Sequence, residues 1–381
     1  MKYKKSNFNC KRDGFTIRGT QYIPKGENLP IAIVSHEFLM GRFSVRRYAR
    51  DFAKMGYAAF CFDFVGGGLI SFSAGRHRDM TVWTELDDLK TVISRAKNLP
   101  QTDGGKPVLM GCSQGGLVSA LAAAELQDEI SKLVLFYPAL CIPDDARAGS
   151  MIFNTKFNTE NIPEAIKCGP FVFSGEYPKT VMSLDVFKAI AKYRGEVFIA
   201  HGTADKIVNL SYARRAQEAY SKEKCSLMII PKAGHIFSPV QDRAAVAGIE
   251  HFMAGRREMF AVDVKITRII PKLKGIRSTL EIPFTGDAEG DYFKGRILPG
   301  GVDIQKRKGF KTERLCASYT LEGKDYTGAD CRIEIQNIDE GKGWKPVILT
   351  DSEALSFLNE AECFAFVKQR GLKGPIVRIF A

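Results

Sequence analysis

Long apolar runs are missing from this 381-residue sequence. Its densest stretches, Ile31 to Val34 and Leu133 to Tyr137, are short and bounded by polar residues, far from the roughly 18 apolar residues a helix needs to cross a bilayer. No membrane partner is expected. The opening Met1-Lys2-Tyr3-Lys4-Lys5-Ser6-Asn7-Phe8 lacks the apolar core of a secretory signal. Also missing is any CxxC pair. Cys10, Cys61, Cys112, Cys141, Cys168, Cys225, Cys316, Cys331 and Cys363 are odd in number and far apart, which argues against zinc chelation and against a fully paired disulfide framework. They are expected to be reduced thiols of a cytoplasmic protein. Repeats and low-complexity segments are absent, and histidine is scarce at 5 residues.

What is present fits a globular protein of two or three domains: 45% hydrophobic and 26% charged residues. The net charge of +12 invites nucleic acid, an anionic surface or an anionic substrate as partner. No helix-turn-helix, zinc-finger or RNA-binding signature accompanies it, so no nucleic-acid partner is expected. Arg42, Arg46, Arg47 and Arg50 fall on one predicted helix, with Arg76 and Arg78 in a later loop. The expectation is a solvated basic rim near a cleft that favours anionic substrates or products.

Up to about residue 258, short apolar runs alternate with amphipathic stretches, the pattern of a mostly parallel sheet covered by helices. The runs are Ile31 to Ser35, Ala58 to Phe64, Pro107 to Gly111, Lys132 to Tyr137, Glu196 to Ala200 and Ser226 to Pro231. They are apolar throughout, as strands buried on both faces must be. Val82, Leu86, Leu89, Ile93 and Ala96 put one apolar stripe on a helix that should end near Asn98-Leu99-Pro100. Residues 138–193 are too long for a simple crossover and are rich in proline and aromatics, which suggests an inserted cap. Residues 259–381 change texture to β-type runs separated by Gly, Pro and Asp, a mostly antiparallel β domain. Within it, Ser352 to Gln369 has an ambiguous period and could be helical.

The chemistry concentrates at Gly111-Cys112-Ser113-Gln114-Gly115-Gly116, a G-x-S-x-G between the run Val108-Leu109-Met110 and the helix-like Leu117 to Leu126. A serine on a sharp turn between strand and helix projects its hydroxyl above the sheet, and Gly111 and Gly115 let neighbouring backbone approach. Gln114 N–H, at the positive end of the helix, is a natural donor to a developing oxyanion. The alternative is a glycine-rich turn with an inert serine. A serine nucleophile needs a base and an orienting carboxylate further along the chain. Asp205 follows the strand Val197 to Ala200, and His235 follows Leu227 to Pro231, both in loops at strand ends. Among the other histidines, His251 lies in a helix-like stretch, and His201 is expected to close its strand and tie down the Asp205 loop.

On Ser35-His36-Glu37-Phe38, Phe62 to Gly68, Met80-Thr81-Val82, Gly111 to Gly116, Pro138-Ala139 with Ile142-Pro143, His201 to Asp205 and Gly234-His235, residues 1–258 resemble an α/β-hydrolase of the cinnamoyl (feruloyl) esterase type. The resemblance implies Ser113 as nucleophile, His235 as general base, Asp205 as its orienting acid, and Phe38 N–H as the second oxyanion donor beside Gln114. It also implies a carboxylesterase acting on hydroxycinnamoyl or other small acyl and aryl esters, with no cofactor or metal. Two residue sets depart from that group. Glu37 replaces the usual glycine and is expected to point outward, paired with Arg42 or Arg46. Gly66-Gly67-Gly68-Leu69 replaces a more polar turn. Residues 259–381 are similar to a family of small β-barrel domains of unknown activity, on Phe293 to Asp303 and on Ala317 to Leu321 with Gly328-Ala329-Asp330. There, Pro299-Gly300-Gly301 reads as a turn or as the mouth of a ligand-binding barrel. Asp287, Glu289 and Asp291 do not fit the spacing of a calcium loop.

The expected architecture is therefore an α/β-hydrolase fold with an inserted cap, followed by a mostly antiparallel β-barrel domain. The expected partner is a small-molecule ester, and assembly as a homo-oligomer stays open. Other α/β-hydrolase chemistries (peptidase, thioesterase, lactonase) and a catalytically silent ligand-binding or partner-binding protein are the competing readings.

Overall fold

The computed structural model describes every residue except 70, 275, 309–310, 340–343 and 372–373. The chain divides into two compact units, Met1–Ile249 and Glu250–Ala381.

The first unit opens with β1 (Tyr3–Arg12) and β2 (Phe15–Pro24), an antiparallel hairpin that sequence reading missed. Its turn residues Asp13 and Gly14 both have positive φ, 46° and 83°, which matches the twist of the flanking strands. Then come β3 (Ile31–Ser35), α1 (Arg42–Lys54), β4 (Ala58–Asp63), α2 (Val82–Lys97), β5 (Val108–Cys112), α3 (Gln114–Leu126) and β6 (Lys132–Phe136). All but one residue of β3 to β6 are buried. The segment 138–193 carries α4 (Ile142–Arg147), the ribbons β7 (Ser150–Met151) with β8 (Thr155–Lys156) and β9 (Ala165–Cys168) with β10 (Phe171–Ser174), then α5 (Glu176–Lys179) and α6 (Val186–Ile190). The chain returns to the sheet through β11 (Glu196–Gly202), α7 (Leu210–Tyr220) and β12 (Cys225–Ile230), and α8 (Pro239–Met253) follows.

The eight strands run in the order β1-β2-β4-β3-β5-β6-β11-β12, parallel from β4 to β12. The carboxyl ends of the six parallel strands share one edge, so the loops after β3, β5, β11 and β12 gather there. α3 is buried from Gln114 to Ala124, which explains its apolar sequence on all sides. α2 begins at a Thr81–Thr84 capping box, and its apolar stripe faces the core.

The second unit is built from β13 (Glu258–Ile266), β14 (Ile270–Lys274), β15 (Arg277–Glu289), β16 (Phe293–Ile297), β17 (Val302–Lys308), β18 (Lys311–Asp325), β19 (Asp330–Asp339), β20 (Lys345–Thr350), β21 (Phe364–Lys368) and β22 (Ile376–Phe380). The main path β20-β19-β18-β16-β15-β13-β22-β21 is antiparallel throughout, and β17 bridges β15 and β18. A bridge between Trp344 and Ala365 joins the two ends of this path, closing a barrel around Phe260, Phe293, Leu321, Ile333 and Ile379. Ser352 to Gln369 contains no α-helix. It holds one short 3₁₀ turn (Ser356–Asn359) and β21, because its apolar residues serve barrel closure instead of a helical stripe.

At the start of α1, Arg42 is buried and pairs with Asp63, which is fully buried at the end of β4. Asp63 also accepts the Arg42 backbone N–H at 2.7 Å and Phe72 N–H at 3.0 Å. Arg42→Ala leaves a buried carboxylate without its cation and should lower stability by about 3 kcal/mol. Denaturant unfolding measures this, and a change below about 1 kcal/mol would contradict the assignment.

Candidate active site

Ser113 lies between β5 and α3 with φ 52° and ψ −118°, a left-handed conformation that is costly for a side-chain-bearing residue. Two glycines make it attainable. A Cβ on Gly111 would collide with the Gly115 carbonyl, and a Cβ on Gly115 would collide with the backbone of Ser35 and His36. The turn therefore presses β5, α3 and the loop after β3 together, and Ser113 Oγ projects from the sheet edge. Ser113 is itself only 7% exposed.

The three sequence-predicted side chains meet there. Ser113 Oγ lies 2.9 Å from His235 Nε2, and His235 Nδ1 lies 2.8 Å from Asp205 Oδ2. An ionised carboxylate only accepts, so Nδ1 carries the hydrogen toward Asp205 and Nε2 is left to accept the Ser113 hydroxyl. Asp205 Oδ1 accepts the backbone N–H groups of Ile207 and Val208, both at 2.9 Å. Burial alone would push its carboxyl up, but hydrogen bonds from His201, His235 and the Val208 N–H outweigh burial and hold it well below the usual carboxylate range. His201 ties the loop down, with Nε2 2.9 Å from the Val208 carbonyl and 3.3 Å from Asp205 Oδ2.

Phe38 and Gln114, the expected oxyanion donors, both border Ser113, and their backbone N–H groups have no hydrogen-bond partner among the described residues. The Gln114 side chain is clamped from two sides, donating to Glu85 Oε2 at 2.7 Å and accepting from Tyr177 OH at 2.5 Å. Burial pushes the Glu85 carboxyl well above its ordinary value, partly offset by Gln114. Tyr177 comes from α5, so this clamp fastens the cap to the nucleophile turn. Trp83 Nε1, which donates to the Thr180 carbonyl at 2.9 Å, fastens it a second time.

Glu37 corrects one expectation. It points inward, is 8% exposed, and pairs with neither Arg42 nor Arg46. Its carboxylate accepts the hydroxyls of Ser44 at 2.6 Å and Tyr137 at 3.3 Å. These partners explain why an acid is tolerated in the place of a glycine. The Tyr137 ring packs against His235 with centroids 4.9 Å apart, so Glu37 is hydrogen-bonded to the residue that forms the wall behind the imidazole. Sequence reading missed Tyr137, Tyr177 and Glu85. Of these, only Glu85 carried a signal: with Asp88 it falls at three-residue spacing from Val82, beside the apolar stripe of α2.

A cavity of about 330 Å³ opens over Ser113, walled by Phe38 and by Ile142, Met151, Ile152, Phe153 and Tyr177 of the cap. Phe38 stacks on Phe173, with centroids 5.2 Å apart. The basic rim is not found at this cavity. Its charged lining is Asp145 and Lys206, while Arg42 is buried on Asp63, Arg47 pairs with Asp242 at 3.1 Å, and Arg46 lies over Phe43. Among the described residues no group of three or more His, Cys, Asp or Glu is placed to hold a metal ion.

Comparison with known proteins bears on the fold of the first unit. Residues 38–164 match the family model described as serine aminopeptidase, S33. Est1E from Butyrivibrio proteoclasticus, solved with ferulic acid bound, is 27% identical with a TM-score of 0.60, over 65% of this chain and 98% of its own. The α/β-hydrolase GrgF from Penicillium sp. sh18 (16% identity, TM-score 0.51, 65% of this chain and 96% of its own) shares the fold. So does mouse α/β-hydrolase domain-containing protein 10 (16% identity, TM-score 0.51, 66% and 99%). No curated protein matches. The first unit therefore has the α/β-hydrolase fold.

Because Asp205 is held in its ionised form well below the usual carboxylate range, its own protonation should not occur within that range. Followed by NMR, the side-chain carboxyl carbon resonance of Asp205 should stay constant across the usual carboxylate range, about pH 3–5. A titration of that resonance inside the usual carboxylate range would contradict this placement.

Proposed function

We propose that this protein is a serine carboxylesterase whose substrates carry a small aromatic acyl or aryl group, of the hydroxycinnamoyl type. The observation that carries the reading is the continuous chain from Ser113 Oγ through His235 to Asp205, facing a cavity flanked by two unengaged backbone N–H groups. In this reading Ser113 Oγ attacks the ester carbonyl while His235 Nε2 takes its proton. The oxyanion is held by Phe38 N–H and Gln114 N–H, and Asp205 stabilises the imidazolium. His235 returns the proton to the leaving alcohol. Water, activated by the same imidazole, then releases the acid from the acyl-enzyme.

The aromatic preference is supported by the ring-lined wall of Phe38, Phe153 and Tyr177, and by the likeness to a protein solved with ferulic acid. No step requires a cofactor or metal. All nine cysteines are free thiols, most of them buried, which supports a cytoplasmic setting. The aminopeptidase family model favours a second reading, hydrolysis of an amino-terminal peptide bond.

A panel of aryl esters, hydroxycinnamoyl esters, thioesters and aminoacyl amides separates the two. We expect hydroxycinnamoyl esters to give the highest kcat/KM, and Ser113→Ala to lower it at least about 10⁴-fold and abolish fluorophosphonate labelling. Amides turning over faster than esters would favour the peptidase reading. Retained activity in Ser113→Ala would exclude both.

A further inference from the structure

The barrel of the second unit contains a polar cluster with buried atoms that have no hydrogen-bond partner among the described residues. Pairing places Asp303 opposite Ala317 and Ala317 opposite Asn337, one row across β17, β18 and β19. Strand alternation puts Tyr319, two residues beyond Ala317, on the same inward face. Ala317 is small, so the three flanking side chains border a cavity of about 100 Å³ walled by Ile282, Phe284, Trp344 and Val377.

Asp303 Oδ2 accepts from Gln305 Nε2 at 2.8 Å, but Asp303 Oδ1, Tyr319 OH and Asn337 Oδ1 are buried with no hydrogen-bond partner among the described residues. Tyr319 is 6% and Asn337 2% exposed. Buried polar atoms are nearly always paired, so three orphans around one small cavity call for an occupant. Two of the orphans accept and the tyrosine hydroxyl both donates and accepts, so that occupant must bring at least one donor. Its remainder must suit apolar and aromatic walls, and a cavity of this order accommodates about one ring. A net charge would be desolvated at high cost beside Phe284 and Trp344. Burial also raises the Asp303 carboxyl above its ordinary value, with Gln305 offsetting only part of the effect.

We propose that Asp303, Tyr319 and Asn337 form a second ligand site, for an uncharged hydroxy-aromatic molecule of about one ring, a phenol in chemical class. Its hydroxyl hydrogen is accepted by Asp303 Oδ1 or Asn337 Oδ1, its oxygen accepts from Tyr319, and its ring lies on the apolar wall. The site is built from residues of the second unit alone and does not depend on the esterase reading.

The test is calorimetric titration of the full chain with phenol and with benzene as probes, on wild type, Tyr319→Phe and Asn337→Leu. Wild type should bind phenol at least tenfold more tightly than benzene. Each variant should weaken phenol binding about tenfold while leaving benzene binding unchanged, and these differences cancel any binding elsewhere on the chain. Tyr319→Phe removes an unpaired hydroxyl, so its melting temperature without ligand should equal or exceed that of wild type. Equal binding of phenol and benzene, phenol affinity unchanged in both variants, or no phenol binding because water alone fills the cavity would overturn the proposal. A clear fall in melting temperature for Tyr319→Phe would also overturn it, since the hydroxyl would then be a structural group.

Discussion

The backbone of Ser113, forced to φ 52° between a buried strand and a buried helix, is the constraint on which the first unit's site depends. That geometry exists only because Gly111 and Gly115 allow β5, α3 and the loop after β3 to come within contact distance. The same compression lifts the serine hydroxyl off the sheet and sets Gln114 and Phe38 beside it at the cavity wall. His235 and Asp205 then need only stand at the ends of neighbouring parallel strands, which the order β5-β6-β11-β12 provides. A strained turn of this kind persists only if its surroundings over-determine it. Here the Glu85–Gln114–Tyr177 chain does so from below and from the cap.

Buried acids surround the site, and each is held differently. Asp205 is held ionised by several donors, Glu85 is pushed toward its neutral form by burial, and Glu37 is held by two hydroxyls behind the imidazole. The chain thus keeps three carboxyl groups near one serine while aiming only one at the histidine. The cap contributes the apolar wall, and with Asp145 and Lys206 as the charged lining the protein's +12 charge is not concentrated at this cavity.

The parallel strands were legible because burial on both faces leaves an unbroken apolar run, as in Ile31 to Val34 and Leu133 to Phe136. The hairpin β1–β2 was not, because β1 buries only Phe8 and reads as polar, although Asp13-Gly14 marked its turn. The site was legible where the chemistry imposes local spacing, at Ser113, and where loops end strands, at Asp205 and His235. It was not legible where side-chain direction is set by tertiary packing. Glu37 turns inward because Ser44 and Tyr137, 7 and 100 residues away, offer hydroxyls. The barrel cluster is similar: Asp303, Tyr319 and Asn337 converge only through the register of three strands, which no local motif encodes.

The central claim is that Ser113 forms a covalent acyl intermediate. Its most direct test is to mix the protein with an activated hydroxycinnamoyl ester, quench in acid within the first turnovers, and map the acylated peptide by mass spectrometry. The account predicts one acyl group on the peptide containing Ser113, lost on replacement of that serine. An acyl group on another residue, or turnover with no acylated peptide at any time, would contradict it.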